Sequence, residues 1–277
     1  MSTFQKLMSS WATKLTDYDR QESESLVSWL FEHHLGWRRS DLLNEVDEAS
    51  FPPKIFEDLE RLMTGEPIQY IIGKGPFYGR EFFVSPATLI PRNETEELVH
   101  LIIKENLKAG LRILDIGTGT GCIPISLVLE MDNPEVYAVD ISEEALVIAR
   151  KNAGELGAKV TFSKCDILIQ TPEAEKLDIL VSNPPYIPEQ EKFKMHKNVL
   201  DYEPELALFV SDIDPFIFYR IIAEKGKQLL SPEGKLYFEI NEIYGNEIAV
   251  LLQKLGYSEV RILKDLNEKD RIAVAKR

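Results

Sequence analysis

The stretch Ile113-Leu114-Asp115-Ile116-Gly117-Thr118-Gly119-Thr120-Gly121-Cys122 is a short apolar run that breaks into three alternating glycines. With a helical pattern after it, such a run reads as a buried strand turning into a helix. Glycines at that turn leave the backbone bare, so a ligand can approach where a Cβ would collide with it. A dinucleotide turn would read Gly-x-Gly-x-x-Gly and hold pyrophosphate at the helix N-terminus. Here Gly121 is the third glycine and Cys122 follows, so that spacing fails. Asp115, two residues before the first glycine, would repel phosphate and suits a cation instead.

Outward from this turn, beginning near residue 94, helix and strand patterns alternate. Strands are expected at Leu111–Ile116, Glu135–Val139, Val160–Ser163, Leu177–Ser182, Lys235–Ile240, Val260–Leu263 and Ile272–Ala275. Helices such as Glu94–Leu107, Ser142–Leu156 and Pro215–Leu230 separate most of them. This alternation implies an α/β fold, a mostly parallel sheet covered on both faces. The last two strands are joined too tightly for a crossover helix, so one of them is expected to run antiparallel.

The N-terminal part reads differently. Phe4, Leu7, Met8, Trp11 and Leu15 fall on one helical face, and Leu26, Val27, Leu30, Phe31 and Leu35 form a second stripe ended by Gly36. A third helix opens at Pro52-Pro53, turns Ile55, Leu59 and Leu62 inward and stops at Gly65. Residues 1–73 therefore read as a small helical bundle. His33 and His34, adjacent on a helix, point to different sides and make a poor metal site, so no metal is expected. Gly75-Pro76-Phe77-Tyr78-Gly79-Arg80-Glu81-Phe82-Phe83-Val84 has the look of a hairpin, and residues 74–91 read as a connector to a domain spanning 92–277.

Composition narrows the function classes. Acidic residues outnumber basic ones by 46 to 32 over 277 residues, for a formal net charge of -14. That balance disfavours a broad nucleic-acid surface, because binding polyphosphate relies on Lys and Arg releasing counterions. Cys122 and Cys165 are far apart, in no metal-ligand spacing, and read as small apolar core residues. No run approaches the roughly 18 apolar residues of a membrane span, and the first residues lack a secretory signal. The expectation is a cytoplasmic protein with no membrane association.

The glycine turn with Asp115 resembles motif I of the class I methyltransferases, in which Gly117, Thr118, Gly119, Thr120 and Gly121 would contact S-adenosylmethionine and Asp115 would face its cationic part. The second strand ends in Val139-Asp140-Ile141, where a carboxylate can accept both hydroxyls of a ribose. That role is common to NAD and S-adenosylmethionine sites, and Asp140 could also cap the helix near Ser142. Asp166, after the third strand, is placed to meet an adenine amino group, with Ile167 packing on the ring; a plain turn residue is the other reading of Asp166.

The fourth strand runs into Ser182-Asn183-Pro184-Pro185-Tyr186-Ile187. Ligands bind at the carboxyl ends of strands in open α/β sheets, and two prolines stiffen this end into extended backbone. An amide or exocyclic amine nitrogen has a delocalised lone pair and is a poor nucleophile. The Asn183 side-chain oxygen and the Pro184 carbonyl can each accept one of its N–H bonds, aiming the lone pair and stabilising charge that grows on nitrogen. Tyr186 can stack on a planar group. No strong general base is required, since the nitrogen becomes acidic only as the methyl arrives. The Asn-Pro-Pro-Tyr run resembles the signature of enzymes that methylate adenine N6, guanine N2 or glutamine N5.

Gly65-Glu66-Pro67-Ile68-Gln69-Tyr70-Ile71-Ile72-Gly73, Phe77-Tyr78-Gly79, Leu89-Ile90-Pro91-Arg92-Asn93-Glu94-Thr95-Glu96, Tyr202-Glu203-Pro204-Glu205-Leu206-Ala207-Leu208, Glu239-Ile240 and Asp265-Leu266 with Asp270-Arg271 extend the likeness over nearly the whole chain. Together with Asn183–Ile187 they resemble the peptide chain release factor glutamine methyltransferases. The resemblance implies a Rossmann-like class I methyltransferase domain with a seven-stranded mostly parallel sheet, preceded by the helical bundle and hairpin. It implies N5-methylation of the glutamine in the Gly-Gly-Gln loop of class I release factors, with S-adenosylmethionine as donor. By carry-over Gly117–Gly121, Asp140, Ile167 and Asn183 contact the donor, and Asn183, Pro184, Pro185 and Tyr186 hold the glutamine. Arg92 and Glu94 would lie near the donor or the incoming loop, or else form an interdomain ion pair. The sequence departs from the family's usual pattern at Asn93, Val210–Ile213, Asn241 and Ile167, none of them in the glycine turn or at Asn183–Tyr186. A nucleic-acid N-methyltransferase, acting on adenine N6 or guanine N2, shares Asn-Pro-Pro-Tyr and is the alternative; it would carry a basic, aromatic-studded recognition segment, whereas the N-terminal helices here are mixed to acidic.

Overall fold

The computed structural model describes residues 2–277, apart from the side chains of Ser2 and Lys194. It divides into two compact units, one of residues up to Lys74 with His196–Tyr202, the other of Gly75–Met195 with Glu203–Arg277.

The smaller unit contains β1 (Ser2–Thr3), α1 (Phe4–Ala12), α2 (Arg20–Leu35), β2 (Glu45–Val46), α3 (Pro53–Met63) and α4 (Ile68–Ile72), with β1 and β2 paired antiparallel. The apolar stripes turn inward as their spacing requires: Phe4, Leu7, Trp11, Val27, Leu30, Phe31, Ile55, Leu59 and Leu62 are buried in one core. Leu15 joins that core from beyond the end of α1. Asp19 caps α2 by accepting from Glu22 N at 2.8 Å, and Gly36 ends it in the left-handed conformation. His34 Nε2 lies 3.0 Å from the carboxylate of Asp58, a residue only 2% exposed. Burial by itself would raise the Asp58 pKa, but Lys54, Arg61 and His34 hold it below the usual carboxylate range. His34 thus has a structural partner, and among the described residues no cluster of metal-ligating side chains occurs.

The larger unit opens with β3 (Lys74–Phe77) and β4 (Arg80–Phe83), a hairpin whose turn residues Tyr78 and Gly79 both have positive φ, the tight geometry that matches strand twist. The hairpin does not stand apart as a connector. Phe77 and Phe82 are buried in the same core as Leu98, Ile102, Ile113 and Ile125, so a linker of residues 74–91 gives way to an integral part of the sheet unit. Apolar burial is the cause, since two large aromatic faces have nowhere else to go.

Next come α5 (Asn93–Glu105), β5 (Arg112–Ile116), α6 (Cys122–Glu130), β6 (Glu135–Asp140), α7 (Glu143–Leu156), β7 (Val160–Lys164) and β8 (Leu177–Ser182). After the short β9 (Ile187–Pro188) the chain returns to the smaller unit as α8 (Lys197–Tyr202), and the larger unit then continues through α9 (Glu205–Leu208), β10 (Phe209–Val210), α10 (Ile217–Leu229), β11 (Leu230–Glu239), α11 (Gly245–Lys254), β12 (Ser258–Lys264) and β13 (Asp270–Lys276). Seven strands form one sheet in the order β12-β13-β11-β8-β5-β6-β7. All neighbours are parallel except β13, which is antiparallel to both β11 and β12. The tight connection between the last two strands produces this reversal. Buried apolar clusters cover both faces of the sheet.

One side chain links the hairpin to the glycine turn. Asn152 of α7, 1% exposed, accepts from Phe83 N at 2.7 Å and donates to the carbonyls of Phe83 at 3.0 Å and Thr120 at 2.9 Å. Replacing it by alanine strands three backbone groups, and stranded buried groups cost about 1–3 kcal/mol each before relaxation. Asn152→Ala is expected to lower the unfolding free energy by about 3 kcal/mol; equilibrium urea unfolding of the variant against the parent measures it.

Candidate active site

The sheet order reverses direction between β5 and β8, and ligands of open α/β sheets bind beyond the carboxyl ends of strands at such a point. Ile116 pairs with Ser182, so the glycine turn and Asn183 leave the sheet side by side. The Ser182 hydroxyl donates to the Ile116 carbonyl at 2.7 Å and ties the two strand ends together. Beyond them lies a cavity of about 400 Å³, within the size range of small-molecule sites. Its wall includes Gly117, Thr118, Gly119 and Thr120 from the turn, Asp140 and Ile141 at the end of β6, Asp166 and Ile167 after β7, and Asn183, Pro184 and Pro185 after β8.

The three glycines do different work. Gly117, Gly119 and Gly121 all have positive φ, at 75°, 52° and 79°. A Cβ at Gly117 or Gly119 would meet nothing within 4 Å, so both expose bare backbone where a ligand can lie close. A Cβ at Gly121 would sit 3.0 Å from Ile125 Cδ1 and 3.2 Å from Ala149 Cβ. Gly121 therefore lets α6 pack closely and does not reach the cavity wall.

Asp140 organises the turn. Its carboxylate accepts from Gly119 N at 2.8 Å and from Ser142 N at 2.9 Å, and burial raises its pKa despite these bonds. Ser142 itself caps α7, accepting from Ala145 N at 3.2 Å, which removes capping as the task of Asp140. Asp166 accepts from Leu168 N at 2.9 Å, as a turn residue does, and also lines the cavity. Cys122 and Cys165 are free, buried and at the cavity wall; burial pushes the Cys122 thiol up to about 12, which leaves it unreactive.

Asp115 lies under the turn, 0% exposed and off the cavity wall. Among the described residues neither of its oxygens, nor the Thr118 hydroxyl, has a hydrogen-bond partner. Burial pushes its carboxyl up to about 7; the nearby Thr118 hydroxyl opposes that shift and the Asp140 charge adds to it. Orphaned acceptors of this kind, beneath bare glycine backbone and beside Asp140, fit the cationic amino acid end and ribose of S-adenosylmethionine.

Around Asn183 the structure gives a place to Thr95 and Glu239, which the sequence marks only as part of the family likeness, with no role of their own. Asn183 Nδ2 donates to Thr95 Oγ1 at 3.2 Å, and Thr95 donates to Glu239 Oε2 at 2.6 Å. Tyr186 donates to Glu239 Oε1 at 3.3 Å and does not line the cavity. Burial raises the pKa of Glu239, against the Thr95 hydrogen bond and the Arg271 charge. Arg92 lines the cavity and pairs with buried Glu203 at 2.5 Å; Glu203 also accepts from Ile90 N at 3.3 Å. Both partners belong to the larger unit, so this ion pair of Arg92 is not an interdomain one, and Glu94 is off the wall. A carboxylate at the end of an otherwise apolar strand, as in Leu236-Tyr237-Phe238-Glu239, is the signal that could have flagged Glu239.

Comparison with known proteins identifies the family. Residues 6–73 match the PrmC N-terminal domain and residues 107–248 match the methyltransferase domain. The chain is 56% identical over 218 residues to the release factor glutamine methyltransferase of Bacteroides thetaiotaomicron, covering 78% of each chain. It is 44% identical over 262 residues to that of Flavobacterium psychrophilum, covering 92% of each. Among solved structures, a methyltransferase from Pyrococcus furiosus superposes with a TM-score of 0.55 at 21% identity, over 79% of this chain and 98% of that one, a likeness of fold.

The Asp115 environment sets a pH dependence. Its folded carboxyl titrates near 7 against 3.8 when unexposed to the fold. Between those values the native state binds more protons than the unfolded one, so stability falls as pH rises through the interval. Asp115→Asn lacks this titration. Its unfolding free energy relative to the parent should climb between pH 4 and pH 7 by about 3 kcal/mol in the ligand-free protein, as read by denaturant unfolding at each pH.

Proposed function

The chain belongs to the release factor glutamine methyltransferases, and we propose that its Asn183–Tyr186 segment carries the family's reaction on the glutamine of the Gly-Gly-Gln loop of class I release factors. S-adenosylmethionine, when bound, supplies an electrophilic methyl group on its sulfonium. Gly117 and Gly119 give it bare backbone, Asp140 accepts its ribose hydroxyls, Ile167 packs beside its base, and Asp115 provides negative charge from below the turn. Asn183 and Pro184 grip the carboxamide to be methylated.

One observation supports this assignment above the others: the donor turn and the Asn183-Pro184 acceptors line a single cavity at adjoining strand ends. Asn183 Nδ2 is already engaged by Thr95, which leaves Oδ1 as the end available to a substrate N–H. With Oδ1 taking one N–H and the Pro184 carbonyl the other, the nitrogen lone pair is directed out of the amide plane and its growing positive charge meets two fixed dipoles. Pro184 and Pro185 keep the grip rigid, so little reorganisation is needed during transfer. The proton leaves after the methyl has arrived, when the nitrogen is strongly acidic, and needs no buried base. Arg92, held by Glu203 at the rim, is placed for the incoming loop. Release factors act in the cytoplasm, and the net charge of -14 favours a protein partner over direct contact with nucleic acid.

Incubation with methyl-labelled S-adenosylmethionine and a release factor should label the factor and leave a version with its loop glutamine changed unlabelled. Label on both, or on RNA or DNA instead, would overturn the substrate. Asn183→Ala should cut kcat by about a hundredfold or more, while donor affinity, read by calorimetry, stays within a few-fold.

A further inference from the structure

The parallel pairing of Phe238 with Ser182 brings Glu239 alongside Asn183 at the end of the next strand. Glu239 is 1% exposed, and both of its oxygens are used: Oε2 by the Thr95 hydroxyl at 2.6 Å, Oε1 by the Tyr186 hydroxyl at 3.3 Å. Thr95, in the first turn of α5, is itself 3% exposed and touches Asn183 on its other side.

From these contacts we propose that Glu239, acting through Thr95, is a positioning residue that fixes which end of the Asn183 carboxamide faces the substrate. An ionised carboxylate only accepts hydrogen bonds, and a threonine hydroxyl has one proton to give. That proton goes to Glu239. Toward Asn183 the Thr95 oxygen can therefore only accept, and Asn183 must present Nδ2 to it. A flipped amide would set Oδ1 against the Thr95 oxygen with no proton between them. The orientation matters because an N–H of the substrate carboxamide needs an acceptor; the NH2 end of Asn183 would oppose it donor to donor. Tyr186 closes the other side of the carboxylate, so its hydroxyl serves the same alignment from within the Asn-Pro-Pro-Tyr run itself. The proposal rests on the glutamine methyltransferase reading and extends it from the residues that touch the substrate to those that aim them.

Three variants test it with the full chain and a release factor as substrate. Thr95→Val removes the hydroxyl while keeping shape. Glu239→Gln keeps shape but can donate as well as accept, so it no longer dictates the direction of the Thr95 proton. Thr95→Ser keeps the hydroxyl. A lost alignment of one hydrogen-bonding group at the reacting atom predicts kcat reduced about tenfold or more in Thr95→Val and Glu239→Gln. The KM for the factor and the donor affinity should stay within about threefold of the parent, and Thr95→Ser should recover most of kcat. A general structural role would instead lower the melting temperature and donor affinity together, with no separate loss in kcat. An active parent with undiminished Thr95→Val and Glu239→Gln variants would overturn the proposal alone, as would a Thr95→Ser variant as impaired as Thr95→Val. A parent unable to label the factor would sink the substrate reading and this proposal with it.

Discussion

Parallel pairing of Ile116 with Ser182 is the constraint on which the site depends. Sheet register has a period of two, so a slip of one residue would turn every side chain of the strand to the opposite face. With the observed register, the bare backbone of Gly117 and the side chain of Asn183 emerge together at one sheet edge. The Ser182 hydroxyl on the Ile116 carbonyl adds a local tie at the point where the strands end. On the other side of β8, β11 keeps the same parallel sense and delivers Glu239 to the same edge. Three neighbouring strands thus bring the glycine turn, Asn183 and Glu239 to one edge of the sheet.

Buried acids divide by how they are compensated. Asp58 lies among Lys54, Arg61 and His34 and stays readily ionised. Glu203 has the Arg92 guanidinium and a backbone N–H. Glu239 has two neutral hydroxyl donors with the Arg271 charge nearby, which suits a group whose task is to accept and so set the direction of other hydrogen bonds. Asp115 alone among these has no hydrogen-bond donor. Burial of an uncompensated carboxylate is costly, and such groups concentrate where a ligand brings the missing charge.

Much of the fold was legible along the chain because its signals are local. Apolar runs of strand length between helical stripes marked all seven sheet strands, and the short link before Ile272 foretold the antiparallel one. Gly36 and Pro53 punctuated the helices through their own φ preferences. Less legible were features that depend on what lies across space. The hairpin at Lys74–Phe83 looked like a connector because sequence shows its aromatics but not the core that receives them. Gly121 looked equivalent to Gly117 and Gly119, yet it answers to Ile125 and Ala149 rather than to a ligand. Arg92 looked open to an ion pair across the domain junction, while its actual partner is Glu203, more than a hundred residues away in the same unit.

The sequence by itself determined the class of chemistry. A glycine turn with an acid before it and an asparagine locked by two prolines are statements about backbone freedom and rigidity, and these are properties of residue types in order. Only the tertiary structure decided which way the Asn183 amide points, because that direction passes from Glu239 through Thr95, a chain of donors and acceptors drawn from three separate elements. Hydrogen-bond direction is a property of neighbours in space, and one-dimensional order carries no record of it.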